Sequence, residues 1–148
     1  MIEVYGNFWD IEADAKCITT NGFVKKNGEG VMGRGIAKQA ANRFPNLPAA
    51  VGWQLQMKGN HVANVLGILD VDYITFPVKH NWWEKADFAL IKRSAEELVV
   101  MADSYRGVWN RILLPRPGCG NGGLRWDDVQ PILEPILDDR FMIVSLTR

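Results

Sequence analysis

The sequence predicts a layered α/β domain built on a mostly parallel sheet. Short β-type runs alternate with helical periods along the chain, the pattern of strands joined by crossover helices. At 148 residues the chain suits one domain with a core large enough to need no covalent staples. Two glycine-rich turns follow predicted strands, the first after a short linker, and in such sheets ligands bind outside the carboxyl ends of the strands.

The β-type runs are residues 2–5, 15–19, 62–69, 73–78, 111–114 and 141–146, each bounded by Gly, Asn, Asp or Pro. Ile36, Ala40 and Phe44 fall on one face of a helix stopped by Pro45. Pro48 suits the first turn of a second helix that ends near Gly59. A third helix over 86–104 shows the clearest period, with Phe88, Ile91, Ala95, Leu98 and Ala102 at three- and four-residue steps. Asp127 and Asp128 stand where an N-cap would start the last helix, whose buried face would be Val129, Ile132, Leu133 and Ile136. Pro135 predicts a kink or an early end there, because proline removes a helix hydrogen bond.

Hydrophobic residues make up 47% and charged residues 23%, an ordinary globular balance. Seventeen basic residues offset seventeen acidic ones, which argues against an extended surface for nucleic acid and leaves only local contacts. Cys17 and Cys119 have neither zinc-site nor redox-pair spacing, so no metal and no disulfide framework are expected. Cys119 among glycines reads as a small residue rather than a nucleophile, since no histidine is placed to activate it. No basic segment followed by an apolar one opens the chain, and no apolar run spans a membrane, so a cytoplasmic location is expected.

Residues 118–123 hold four glycines directly after a hydrophobic strand. Glycine removes the Cβ that would keep backbone N–H groups from an anion and allows the positive φ that turns them inward. A plain connector would not need that backbone freedom, although the loop could be one. Residues 28–37 form a second such turn leading into a helix, so a ligand with more than one phosphate is expected. Neither turn is followed by the Gly-Lys-Ser/Thr of a Walker A loop, and the first has the wrong spacing for a dinucleotide fingerprint.

Four blocks together, Thr20-Asn21, Gly30-Val-Met-Gly-Arg-Gly-Ile-Ala37, Phe76-Pro-Val-Lys-His-Asn-Trp82 and Pro117-Gly-Cys-Gly-Asn-Gly-Gly-Leu-Arg-Trp126, resemble the macro domain family in order and spacing. Within it the pattern is similar to the branch of the DNA ADP-ribosyl glycohydrolase antitoxins (DarG) and the human terminal ADP-ribose glycohydrolase. The resemblance implies a three-layer α/β/α macro domain with a mixed, mostly parallel sheet over residues 1–148. It implies an ADP-ribose cleft lined by Asp10, Ile11, Thr20, Asn21, Val31, Met32, Gly33, Gly35 and Ile36. The opposite wall would be Pro117, Gly118, Cys119, Gly120, Asn121, Gly122, Gly123 and Leu124. Family members carry an aspartate after the first strand for the adenine amino group. Here Asn7 occupies that place and Asp10 lies three residues on, either as its substitute or as a solvated loop carboxylate.

The resemblance makes Lys79 the catalytic group of a hydrolase that removes ADP-ribose from DNA or protein, without a cofactor. An amine that attacks an anomeric carbon must be neutral, whereas free lysine, with a pKa of about 10.4, is protonated at neutral pH. Burial or a neighbouring cation such as protonated His80 would favour the neutral form. By residue type alone, a strand-end lysine more often extends to water or pairs with a phosphate. The human relative carries an aspartate where this chain has Gly122, which leaves Asn21 or a water to assist Lys79 and favours a nucleobase target. His80 and Trp82 are candidate substrate contacts; Trp82 or Trp83 could stack on a base or pack in the core. A non-catalytic reader and an ADP-ribose 1″-phosphate phosphatase are the alternatives, and a monomer is expected. The long antitoxins carry a further region that restrains their toxin, so the chain's end at Arg148 leads to an expectation of no neutralisation by direct toxin binding.

Overall fold

The computed structural model describes residues 1–147; Arg148, on which the expectation about the chain's end rests, lies outside the described residues. Six strands, β1 (Ile2–Tyr5), β2 (Ala15–Asn21), β3 (Ala63–Ile68), β4 (Val71–Lys79), β5 (Ile112–Pro115) and β6 (Phe141–Ser145), form one sheet in the order β1-β6-β5-β2-β4-β3. Every neighbouring pair is parallel except β3 with β4, so the sheet is mixed and mostly parallel as expected. The antiparallel pair turns at Leu69-Asp70, both in the left-handed region, which matches the twist of a tight hairpin.

Helices α1 (Gly35–Arg43), α2 (Leu47–Lys58), α3 (Phe88–Ser104) and α4 (Trp126–Leu133) cover the two faces and complete the three layers. On one face Ile91, Ala95 and Leu98 of α3 and Val129 and Leu133 of α4 join Cys17, Phe76, Ile112 and Ile143 in one core. On the other, Ala37 and Ala40 of α1 and Leu47 and Val51 of α2 pack with Ile18 and Tyr73. The segment after β1 covers the rest of that face, with Phe8 and Ala13 against Leu113, Met142 and Val144. Leu113 points opposite to Ile112 and Leu114, and all three are buried, as a strand covered on both faces requires.

Three local readings need correction. Phe88 is exposed, because it starts α3 directly after the cap and the buried stripe runs through Leu90, Ile91, Ser94, Ala95, Leu98 and Ala102 instead. Asp127 and Asp128 do not cap α4; the helix already starts at Trp126, and they lie in its first turn, where their charge favours the helix dipole. Its buried residues are Val129 and Leu133, with Ile132 and Ile136 only partly covered. Pro135 does bring the early end, since α4 stops at Leu133, and the helix also contains Pro131.

Lys16 is a buried cation within β2, 6% exposed. Its Nζ donates to the carbonyls of Phe8 and Trp9 at 3.2 Å each, which is how a buried ammonium is tolerated. Burial favours the neutral amine and lowers its pKa, and the Arg43 charge adds to this against Asp10.

Candidate functional site

The carboxyl ends of β2 and β4 place Asn21 beside Lys79 in the strand register, after an irregularity between Thr20 and Asn21. The carbonyl of Lys79 accepts from the Gly22 N–H at 3.1 Å and the Asn60 amide at 3.0 Å, which fixes the start of its side chain. Its Nζ donates to the carbonyls of Trp82 and Asn121, both at 3.3 Å. The amine therefore stands between the turn after β4 and the glycine loop after β5. The Asn21 side chain donates to the Val31 carbonyl at 3.1 Å and accepts from the Phe23 N–H at 3.0 Å. Both its polar atoms thus shape the loop between β2 and α1.

A cavity of about 620 Å³ lies between the two glycine-rich loops, within the range of small-molecule sites. The first turn of α1 forms one wall through Arg34, Gly35, Ile36 and Ala37. Helix α1 has no side-chain N-cap and no acidic residue in its first turn, so its N–H groups and positive dipole end face the cavity without a competing carboxylate. Gly118, Cys119, Gly120, Asn121 and Gly122 form the opposite wall. Gly118 has a φ of 76°, and a Cβ there would lie 2.7 Å from Ile91 Cδ1, so only glycine satisfies both the turn and the close packing. At Gly122 a Cβ would lie 3.0 Å from the Cβ of Ala86. A side chain there would have to displace Ala86 by a few tenths of an ångström. The two loops approach each other where a Cβ on Gly35 would meet the Asn121 amide at 3.3 Å.

A second, more open cavity of about 390 Å³ adjoins the first and shares Lys79, Arg34, Trp82, Asn121 and Gly122 with it. Trp83, Glu84, Lys85 and Gly123 complete it. Neither tryptophan enters the core. His80 bonds its Nε2 to Asp87 at 2.8 Å and lines neither cavity. Asp87 also caps α3 by accepting from the Ala89 N–H. The His80 bond is the main cause that holds the Asp87 carboxyl below the ordinary range, with the backbone bonds assisting and burial opposing. A depressed carboxylate contributes stability above its unfolded pKa of about 3.9, and this is lost as pH falls through the lower folded value. Asp87→Ala is expected to cost about 1 kcal/mol at neutral pH, chiefly as a lost cap on an exposed helix end. Urea unfolding should show that difference shrinking below about pH 4.

Of the residues expected to line the cleft, Thr20, Asn21, Val31, Gly33, Gly35, Ile36, Gly118, Cys119, Gly120, Asn121 and Gly122 border the larger cavity with Lys79 and Trp82. Gly123 borders only the smaller one. Met32 and Leu124 are buried in the two main cores, and Pro117 is buried without lining either cavity. Asp10 and Ile11 lie outside both cavities; Asp10 is exposed and Ile11 packs near Gly6. Cys119 is half-buried, and burial raises its pKa against the pull of Arg116, which keeps the thiol protonated. Sequence reasoning missed Thr19, Phe23, Lys25, Arg34, Ala37, Val78, Pro115 and Arg116 in the lining. For Arg34, its position between Gly33 and Gly35 in an anion-seeking turn was an available signal.

No family model matches the chain. Its sequence is 28% identical over 141 residues to a DNA ADP-ribosyl glycohydrolase of Thermus aquaticus, covering 91% of this chain and 37% of that protein. It is 27% identical over 133 residues to one from Mycobacterium tuberculosis, covering 85% of the chain and 36% of the relative. The chain thus spans little more than a third of the curated relatives it matches. Among solved structures, the macrodomain of M. tuberculosis DarG superposes with a TM-score of 0.79 at 24% identity, covering 99% of both chains. The macrodomain of T. aquaticus DarG gives 0.78 at 25% identity, covering 97% and 95%. Thermosipho africanus DarTG in complex with ADP-ribose gives 0.76 at 20% identity, covering 96% of this chain and 40% of that one. The chain has the macro domain fold and is similar to the macro domains of the DNA ADP-ribosyl glycohydrolases.

Proposed function

We propose that the larger cavity binds ADP-ribose and that the protein hydrolyses the bond between its distal ribose and a modified target, with Lys79 at the reacting carbon. The observation that carries this reading is the place of the Lys79 amine, at the boundary between a loop-walled cavity and an open one. The diphosphate would meet the first turn of α1 and the Gly118–Gly122 wall, where N–H groups suit anionic oxygens. The distal ribose would lie beside Lys79, with its leaving group in the open cavity. The unprotonated Nζ attacks the anomeric carbon as the bond to the target breaks, and the target leaves with a proton. Water then cleaves the carbon–nitrogen bond, which releases ADP-ribose and restores the amine. Asn21 holds the Val31 loop in place and lines the cavity beside Lys79. The similarity to enzymes named DNA ADP-ribosyl glycohydrolases, together with glycine at 122, supports a nucleobase in DNA over a protein side chain as the target.

The reading is tested by supplying ADP-ribosylated single-stranded DNA, ADP-ribosylated protein and ADP-ribose 1″-phosphate to the protein and following ADP-ribose by chromatography. Release from the DNA, with the base left unmodified, is the expected result. Binding of ADP-ribose without turnover of any of the three would instead make the protein a reader.

A further inference from the structure

We infer that the smaller cavity beyond Lys79 is a second subsite, which holds a nucleotide of single-stranded nucleic acid through an aromatic corner and two unpaired cations. The inference rests on the ADP-ribose reading of the larger cavity for its orientation, since it assigns what lies on the far side of the scissile bond.

The aromatic corner is built rather than incidental. Trp82 and Trp83 meet edge to face, with centroids 5.5 Å apart and planes at 89°, and Phe23 braces Trp83 from the loop after β2 at 5.4 Å and 71°. The two indoles stay 48% and 58% exposed beside the cavity, so part of their ring surface is open to a ligand. A planar base has a π-face for such a surface whatever its identity, whereas most protein side chains do not.

The cations complete a nucleotide's requirements. Arg34 borders both cavities and Lys85 the smaller one. No side-chain hydrogen bond or ion pair engages either among the described residues, although most arginines of this chain are paired. Among the described residues the one carboxylate lining the cavity, Glu84, accepts from the Asn81 amide at 2.7 Å, which ties it to its own turn. Two free cations against one engaged anion favour a polyanion, and the cationic edge is short. A chain with zero net charge can therefore hold a nucleotide and its flanking phosphates without a general affinity for long nucleic acid.

Binding is tested by fluorescence anisotropy of labelled oligothymidylate and oligouridylate at low salt, with an acidic peptide as the protein arm and with or without saturating ADP-ribose. Both oligonucleotides should bind saturably, and Trp83→Ala should weaken them by about tenfold to a hundredfold. Lys85→Ala should reduce the salt dependence of binding by about one unit of slope. Calorimetry with free ADP-ribose should give the wild-type affinity in both variants, which also shows that they fold. The inference is overturned if the oligonucleotides do not bind, if Trp83→Ala leaves their affinity unchanged, or if the peptide binds as tightly. Oligonucleotide binding by a protein that ignores ADP-ribose would keep this subsite and remove the reading of the larger cavity; the converse would remove the subsite alone.

Discussion

Lys79→Ala is expected to lower ADP-ribose release from modified DNA by about 10³-fold or more, the scale on which loss of a nucleophile or acid–base group acts. The affinity for free ADP-ribose should stay within a few-fold of wild type, because the amine meets only two carbonyls at the cavity's edge and the phosphate walls do not include it. Lys79→Arg separates charge from chemistry. It keeps a cation that can bond the Trp82 and Asn121 carbonyls, but guanidinium does not deprotonate in proteins and cannot attack carbon. If Lys79 only anchored the two loops, the arginine variant would turn over substrate normally. If it is the nucleophile, arginine should be as inactive as alanine.

Gly52→Ala is expected to act at a distance, through the flap that carries Phe23, Lys25 and Val31 into the cavity. Alanine in mid-helix ordinarily favours a helix by about 1 kcal/mol over glycine. Here a Cβ on Gly52 would collide with the Gly28 carbonyl and lie 2.9 Å from Glu29 Cα, both backbone atoms. The same flap is fastened to α2 by the Gly30 N–H on the Pro48 carbonyl at 2.9 Å, so it has little room to yield. Overpacking of this kind costs about 1–3 kcal/mol, which should exceed the propensity gain and lower stability in urea. A displaced flap should also weaken ADP-ribose binding by about tenfold, roughly 1.4 kcal/mol. A more stable variant with unchanged affinity would mean that the flap is not held by α2.

The sequence made some parts of this molecule legible for physical reasons that can be named. The α3 period was readable because Ile91, Ala95, Leu98 and Ala102 are all buried at helical spacing, while Phe88 was misplaced because a cap leaves the first helical residue free to face outward. The glycines at 118 and 120 announced a tight loop after β5, and both have positive φ. Strand order was not legible: β1 lies at an edge beside β6, a pairing between the two ends of the chain that no local pattern encodes. The Leu69-Asp70 turn was hidden because leucine rarely occupies the left-handed region. Lys16 gave no sign of burial, since its partners are carbonyls of Phe8 and Trp9 rather than a carboxylate that could be found in the sequence. In the site, the two glycine loops followed from residue type and spacing, whereas Lys79 and Asn21 stood out only through the resemblance to macro domains. The aromatic corner required the fold, because β4 and the loop after β2 bring Trp83 against Phe23 across sixty positions of sequence.

The proposed function requires that the cavity between the two glycine loops hold ADP-ribose with Lys79 at the edge shared with the smaller cavity. A ¹H–¹⁵N titration of the labelled protein with ADP-ribose tests it directly, because glycine amides occupy their own region of the spectrum. Saturable shifts should be largest at Gly33, Gly35, Gly118, Gly120 and Gly122 and should extend to Lys79. The absence of saturable shifts, or a cluster of them around the separate pocket of His61 and Arg93, would contradict it.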